Sequence, residues 1–279
     1  MVGWNKRVLE LGAASGHVTR ALVAQQCRVT AVEYDAQAAA ALHGVAEEVI
    51  VGDLNDPATL ARFTAEFDVV LAGDVLEHLL DPQAVLNRIS RLIVPSGRLV
   101  VSLPNIAHAD VRMALLQGRF DYNPWGLLDR THIRFFTFKT IGEYVHQAGL
   151  QVIDMARVIV PAFESELNVD RQSVPTAVLD EVLADPEAET YQFVFTAVPN
   201  DGSIQTARLS EKYLELQAEH QRQIVAATKR SLGLSRELKE ERERRQIAED
   251  DVKRLQATKL FRYTRGLRRM YRSLRGSDR

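Results

Sequence analysis

The ten residues Arg7-Val8-Leu9-Glu10-Leu11-Gly12-Ala13-Ala14-Ser15-Gly16 decide how the chain folds. An apolar, β-branched run ends abruptly in a small-residue loop bounded by two glycines. The residues that follow, Gly16–Ala24, are patterned as a helix. A glycine directly after a strand permits a tight turn, and a second glycine at a helix start permits close approach of a ligand. Strand, glycine loop and helix together open an α/β domain. A dinucleotide fingerprint requires glycine at three positions spaced G-x-G-x-x-G. Those positions are Gly12, Ala14 and His17, so two of the three fail.

Working outward, the same rhythm continues. Candidate strands are Arg7–Leu11, Arg28–Glu33, Glu48–Val51, Phe67–Ala72, Gly97–Leu103, Leu150–Val160 and Tyr191–Val198. Candidate helices between them are Gly16–Ala24, Ala36–His43, Pro57–Phe63, Pro82–Leu92 and Phe138–Ala148. This alternation predicts a doubly wound, mostly parallel, Rossmann-like sheet covered on both faces. Two stretches interrupt it, Asn105–Thr137 and Pro161–Glu189. Long insertions of this kind commonly serve as lids or substrate loops.

The strand ends are evenly spaced. Gly12, Glu33, Asp53 and Asp74 follow one another at almost equal intervals along the chain. Ligands of open α/β sheets bind outside the carboxyl ends of the strands, so all four positions face one crevice. An acid at the tip of the second strand can accept the hydroxyl protons of a ribose. Asp53 can accept a bond from an adenine amino group, although aspartate also fills such places as a turn cap.

On these residues the chain resembles class I S-adenosylmethionine-dependent methyltransferases. The resemblance is carried by Val8–Gly12, by Val32-Glu33-Tyr34-Asp35, by Gly52-Asp53-Leu54, by Phe67–Val70 with Asp74–Leu79, and by Pro95–Leu99. It spans roughly residues 5–200 and implies a seven-stranded sheet with its last strand antiparallel. It also implies S-adenosyl-L-methionine as cofactor, with Glu10 and Gly12 near its methionine end, Glu33 on the ribose and Asp53 on the adenine. Ala14, Gly16, Tyr34, Leu54 and Asp74 complete the expected cofactor-binding set. Ala14 stands where such enzymes commonly carry glycine. About six residues precede Arg7, fewer than in relatives with a helix there, so either the start is truncated or the pocket is more open.

A narrower resemblance lies in Ser102–His108 and Gly126–Thr137, which are similar to methyltransferases of bacterial surface-polysaccharide biosynthesis. It implies O-methylation of a sugar or glycan hydroxyl, with glycosyltransferases as partners. The Asp/Asn-Pro-Pro-aromatic tetrapeptide of amino-group methyltransferases is replaced by Gly73-Asp74-Val75-Leu76, which argues against DNA targets. A hydroxyl acceptor calls for a base, and histidine suits neutral pH. His132 is the first candidate, oriented by Asp129, with His78 and His108 as alternatives. Asp74, Glu77 and His78 share a spacing that could supply part of a metal shell. No fourth ligand is identifiable, so no metal is expected. Two other readings stay open: a methyltransferase of another small-molecule pathway, and a cofactor-binding scaffold that organises glycosyltransferases.

The domain is expected to occupy residues 1–200, followed by a linker at 201–206. Residues 207–258 carry dense charge, no proline and a weak heptad pattern. Ile224, Leu238 and Val252 take one seam position, and Ala227, Leu234 and Ala248 the other, but Ser231, Glu241 and Arg245 interrupt it. A long helix or coiled coil is expected, which could pair two copies. From Lys259 to Arg279 eight Lys/Arg face one acid, a charge of +7, against −9 for the remainder. Leu260, Tyr263, Leu267, Met270 and Leu274 recur at helical spacing there, a basic amphipathic pattern suited to an anionic membrane surface. The acidic body disfavours nucleic acid. With a single cysteine, Cys27, and no long apolar run, a cytoplasmic location is expected, peripheral at the membrane through the tail.

Overall fold

The computed structural model describes residues 1–64 and 66–200, scattered positions between 212 and 239, and 241–254. The chain divides into two units, Met1–Glu219 and His220–Arg279. In the second, residues 241–254 are helical and exposed throughout, with an Arg245–Glu249 pair along one face. Leu234, Leu238 and Val252 of the heptad reading are at least half exposed, at 66%, 50% and 51%. The rest of the 207–258 reading falls largely, and that of the 259–279 tail wholly, outside the described residues. Among those described, no helix is long and apolar enough to cross a membrane.

Among its described residues the first unit holds seven strands: β1 (Arg7–Leu11), β2 (Arg28–Glu33), β3 (Glu48–Val51), β4 (Phe67–Gly73), β5 (Ile93–Pro104), β6 (Leu150–Ile159) and β7 (Thr190–Pro199). They lie in the order β3-β2-β1-β4-β5-β7-β6, with β7 antiparallel to both neighbours. The helices are α1 (His17–Ala24), α2 (Ala36–Ala40), α3 (Pro57–Ala61), α4 (Pro82–Ile89), α5 (Ala109–Leu116), α6 (Phe138–Gln147) and α7 (Thr176–Ala184). The first three strands have the predicted bounds. Strand β5 begins earlier than expected because Ile93 already pairs with Phe67 before an irregularity in the ladder.

Side chains alternate across a strand, so each strand feeds two cores. Leu9 and Leu11 join Val70 and Ala72 with Leu60 of α3, Leu86 and Ile89 of α4, and Ile141 and Val145 of α6. Val8 joins Val29, Val69 and Val100 with Leu22 of α1 on the opposite face. Glu10 shares the parity of Val8 and is driven inward with it. Its burial is met by Thr19 of α1, whose hydroxyl donates to the Glu10 carboxylate at 2.7 Å.

The two insertions build a third core rather than loose lids. Helix α5 lies in the first and α7 in the second, and each is absent from the sequence reading. Val111, Met113, Leu127 and Leu128 of the first insertion pack with Leu167, Val169 and Val182 of the second. Buried Asp110 accepts the backbone N–H groups of Phe163 at 2.6 Å and Ser165 at 3.1 Å, tying the two together. Arg157 on β6 forms a nearly buried ion pair with Glu187 at 2.7 Å, anchoring the far end of the second insertion.

Candidate functional site

The parallel register places the strand ends side by side. Leu11 pairs with Val32 and with Ala72, and Glu33 pairs with Val51. Each strand is then left by a turn residue on the same edge of the sheet. The Gly12 N–H donates to Val32 O at 2.8 Å, and the Gly52 N–H donates to Glu33 O at 2.9 Å. A cavity of about 440 Å³ opens there. Gly12, Glu33, Tyr34, Asp53, Leu54, Asp74 and His78 line it, joined by Val32, Gly52, Asn55, Val75 and Leu79.

Gly12 is held at φ +66°, and a Cβ on it would meet Val75 Cγ2 at 2.7 Å. Only glycine lets the backbone pass this close to the β4 turn while turning left-handed. Ala14 occupies the same left-handed region at φ +46°, where a side chain costs energy. Its N–H donates to Glu33 Oε2 at 2.6 Å, and the Asp35 N–H donates to Glu33 Oε1 at 2.9 Å. Glu33 therefore holds the glycine loop against the end of β2 with one lone pair on each oxygen. An ionised carboxylate has about four acceptor sites, so it can still receive hydroxyl protons. Asp53 Oδ1 accepts from the Asn55 N–H at 2.8 Å and from its side-chain amide at 3.0 Å, so Asp53 both turns the chain and borders the cavity.

Asp74 leaves β4 at φ +53°, and its carboxylate accepts from Ser102 Oγ at 2.9 Å and from the Gln192 amide. A single helical turn, Leu76–His78, follows. It carries Glu77 inward and His78 to the cavity wall. The first insertion clamps onto this turn: the N–H groups of Ile133 and Arg134 both donate to Glu77 O, at 2.9 and 3.0 Å. That clamp brings His132 beside it. The His132 and His78 rings meet edge to face with centroids 4.9 Å apart, and His132 Nε2 lies 4.0 Å from Glu77 Oε1. Burial pushes the Glu77 carboxyl up to about 8 against the pull of its own backbone N–H, and the charges of Asp74 and Asp129 push the same way as burial. Burial also lowers the His132 pKa below the ordinary imidazole value, against the pull of its bond to Leu127 O.

Several predicted residues sit elsewhere. Glu10, bound to Thr19, and Gly16, the N-cap of α1, do not line the cavity, and Ala14 presents its N–H to Glu33. Asp129 does not orient His132. It accepts from the hydroxyl and N–H of Thr131, and burial, which would raise its pKa, is outweighed by these bonds and by the two histidines. The group at His132 Nδ1 is Leu127 O, at 3.3 Å. His108 is fully buried against Val160 O at 2.8 Å, where it caps α5. The residue that sequence reasoning undervalued is Glu77. An acid inside the apolar run Val75-Leu76-Glu77-His78-Leu79-Leu80 was the signal.

The profile of the methyltransferase-domain family matches residues 4–155. The chain belongs to this methyltransferase family. The ubiquinone biosynthesis O-methyltransferase of Xylella fastidiosa (strain 9a5c) is 29% identical over 155 residues, covering 54% of this chain and 63% of that protein. The protein of the same name from Coxiella burnetii (strain RSA 331 / Henzerling II) is 23% identical over 171 residues, covering 60% and 72%. The chain thus spans less than two thirds of the first relative's length. The SAM-dependent methyltransferase of Archaeoglobus fulgidus has the same fold, with a TM-score of 0.52, 15% identity, and coverage of 69% of this chain and 86% of that one. S-adenosyl-L-methionine is the cofactor of this methyltransferase domain. The residues present fit it: a cavity in the size range of nucleotide-sized ligands, a side-chain-free approach at Gly12, and acids at the ends of β2 and β3.

Proposed function

We propose that this methyltransferase transfers a methyl group to a hydroxyl oxygen of a sugar or glycan. The observation that carries the hydroxyl reading is the histidine pair at the cavity. His78 lines the wall that Gly12, Glu33 and Asp53 also line, and His132 stands against it. The cofactor, when bound, supplies a methyl group already activated on a sulfonium. The chain's part is to align the acceptor and to accept its proton as the new bond forms. Glu33 and the Gly12 turn hold the cofactor end of this arrangement. His78, on the wall, is positioned to take the proton, and His132 and the 105–137 insertion hold it in place. The Ser102–His108 and Gly126–Thr137 resemblances support a glycan acceptor. On this reading the basic 259–279 segment keeps the enzyme at a membrane surface near glycosyltransferases.

A second reading has a phenolic acceptor. It is favoured by the names of the relatives and by an exposed aromatic group in the first insertion, where Phe120 meets Tyr122 at 5.4 Å and Phe135 at 5.9 Å between ring centroids. One experiment separates the two. The full chain is incubated with methyl-labelled S-adenosylmethionine and, separately, panels of glycans and of dihydroxylated phenols. Label on glycans supports the first reading, and label on phenols alone replaces it with the second. No label on either panel, with cofactor binding intact by calorimetry, removes the hydroxyl reading. Replacing His78 by alanine is expected to slow the reaction roughly 10²- to 10⁴-fold, the usual range for a general base.

A further inference from the structure

Glu77 is 1% exposed, and neither of its carboxylate oxygens has a hydrogen-bond partner among the described residues. A buried acid left without a partner is costly, and native proteins answer by keeping its proton, by pairing it with a cation or by binding a metal. The nearby basic atom is His132 Nε2, at 4.0 Å, too far for a hydrogen bond. What surrounds the carboxylate instead is a pair of imidazoles held in matching states. His78 Nδ1 lies 3.1 Å from Thr131 O, and His132 Nδ1 lies 3.3 Å from Leu127 O. A carbonyl can only accept, so each Nδ1 carries the proton and each neutral ring keeps its lone pair on Nε2. Fixing one ring nitrogen on a backbone carbonyl is how proteins orient histidine as a metal ligand. One ligand atom from each of Glu77, His78 and His132 lies within 4.8 Å of the other two.

We propose that Glu77, His78 and His132 form a binding site for one divalent transition-metal ion of the zinc class. Two imidazoles and one carboxylate are the donor set of open, three-ligand metal sites, and nitrogen ligands favour such ions over magnesium or calcium. In a tetrahedral shell with metal–ligand bonds of about 2.0–2.2 Å, two donors stand about 3.3–3.6 Å apart. Donor atoms that lie within 4.8 Å of one another therefore close by up to roughly 1.5 Å on binding, a movement we assign to side-chain rotation. Asp74, the acid that sequence spacing grouped with Glu77 and His78, is not a ligand, because its carboxylate is turned to Ser102 and Gln192. An ion here borders the cavity through His78 and leaves coordination positions open. Its catalytic use rests on the hydroxyl-methylation reading: the ion would lower the pKa of an acceptor hydroxyl and replace the histidine base.

The test uses the full chain, stripped of metal by chelation, dialysed, and titrated with Co²⁺ alone in the absence of S-adenosylmethionine. Visible absorption and calorimetry report the binding. One equivalent should bind, and Glu77→Gln and His132→Gln should each weaken binding at least about 100-fold. His17→Ala, His43→Ala and His146→Ala, all at exposed positions, should leave it unchanged. Absent binding, or binding that survives Glu77→Gln and His132→Gln, overturns the site, as does loss on replacing a surface histidine. Should the variants fail to fold, proton NMR of the Co²⁺-loaded wild type decides. Two paramagnetically shifted imidazole Nδ1–H signals support the site, and their absence overturns it. Binding is read without any acceptor, so its failure leaves the methyl-transfer reading standing. Metal binding with no methyl transfer to any panel sinks that reading alone.

Discussion

Replacing Glu77 by glutamine should make the metal-free protein more stable, and increasingly so as pH rises. The side chain is sealed from solvent, and its carboxyl titrates near 8 instead of the ordinary 4.5. Between these values the folded protein keeps a proton that the unfolded chain has released. Stability that this group leaves intact below pH 4.5 is therefore lost progressively as pH rises toward 8. The shift corresponds to at most roughly 5 kcal/mol, spread at about 1.4 kcal/mol per pH unit. Glutamine has nearly the same shape and no charge to bury, and its amide can turn toward His132 Nε2. The measurement is urea denaturation of both proteins in chelator-containing buffer from pH 5 to pH 8.5, followed by near-ultraviolet circular dichroism. The quantity of interest is the difference between variant and wild type, because all other titrating groups are common to both. It should grow steadily in favour of the variant. A difference that is flat across this range would mean that Glu77 ionises freely, and the reasoning about its burial would be wrong.

Three further outcomes are expected. Glu33→Gln should lower S-adenosylmethionine affinity about 10- to 100-fold by calorimetry, since it loses charge-assisted bonds worth about 1.5–3 kcal/mol; unchanged affinity would take Glu33 out of the cofactor site. Ala14→Gly should stabilise the protein by about 1 kcal/mol in urea denaturation, because glycine removes the left-handed penalty at φ +46°; a loss of stability would show that the loop is unstrained. Thr19→Val strips the hydroxyl from the buried Glu10 carboxylate and should destabilise by about 1–3 kcal/mol, most at high pH, where Glu10 is charged; the same midpoint as wild type would mean that water replaces the bond.

The sheet and the edge that carries the cavity were legible because they rest on local patterns. Each of β1 to β4 is a short apolar run that ends in glycine or an acid, and parallel pairing in register then sets those ends side by side. The even interval between those ends is the length of one strand–helix unit, so it survives folding as a row of neighbours. Helices α5 and α7 were not legible. Val111, Met113 and Ala114 bury against residues of the other insertion, and Asp110 is fully buried as the acceptor for a loop in that second insertion. Nothing local marks an aspartate as an internal tie. Asp129 misled for a related reason. Its nearness to His132 in sequence suggested a partner, yet the backbone carbonyl of Leu127 takes that place.

The same contrast explains how one edge of the sheet carries two kinds of chemistry. The Gly12 loop, Glu33 and Asp53 belong to consecutive strand–helix units, so their positions follow from the register of the sheet. The Glu77, His78 and His132 group does not. Its third member comes from the first insertion, beyond the whole of α4, β5 and α5, and it is placed by two backbone N–H groups landing on one carbonyl, Glu77 O. That carbonyl belongs to the residue whose side chain lacks a partner. The insertion and the buried acid are thus coupled at a single residue: whatever seats the 130–134 segment also delivers an imidazole to the carboxylate. A sheet edge built from local repeats lines the cavity through Gly12, Glu33 and Asp53, while a long insertion clamped at one turn sets His132 against His78 on its wall.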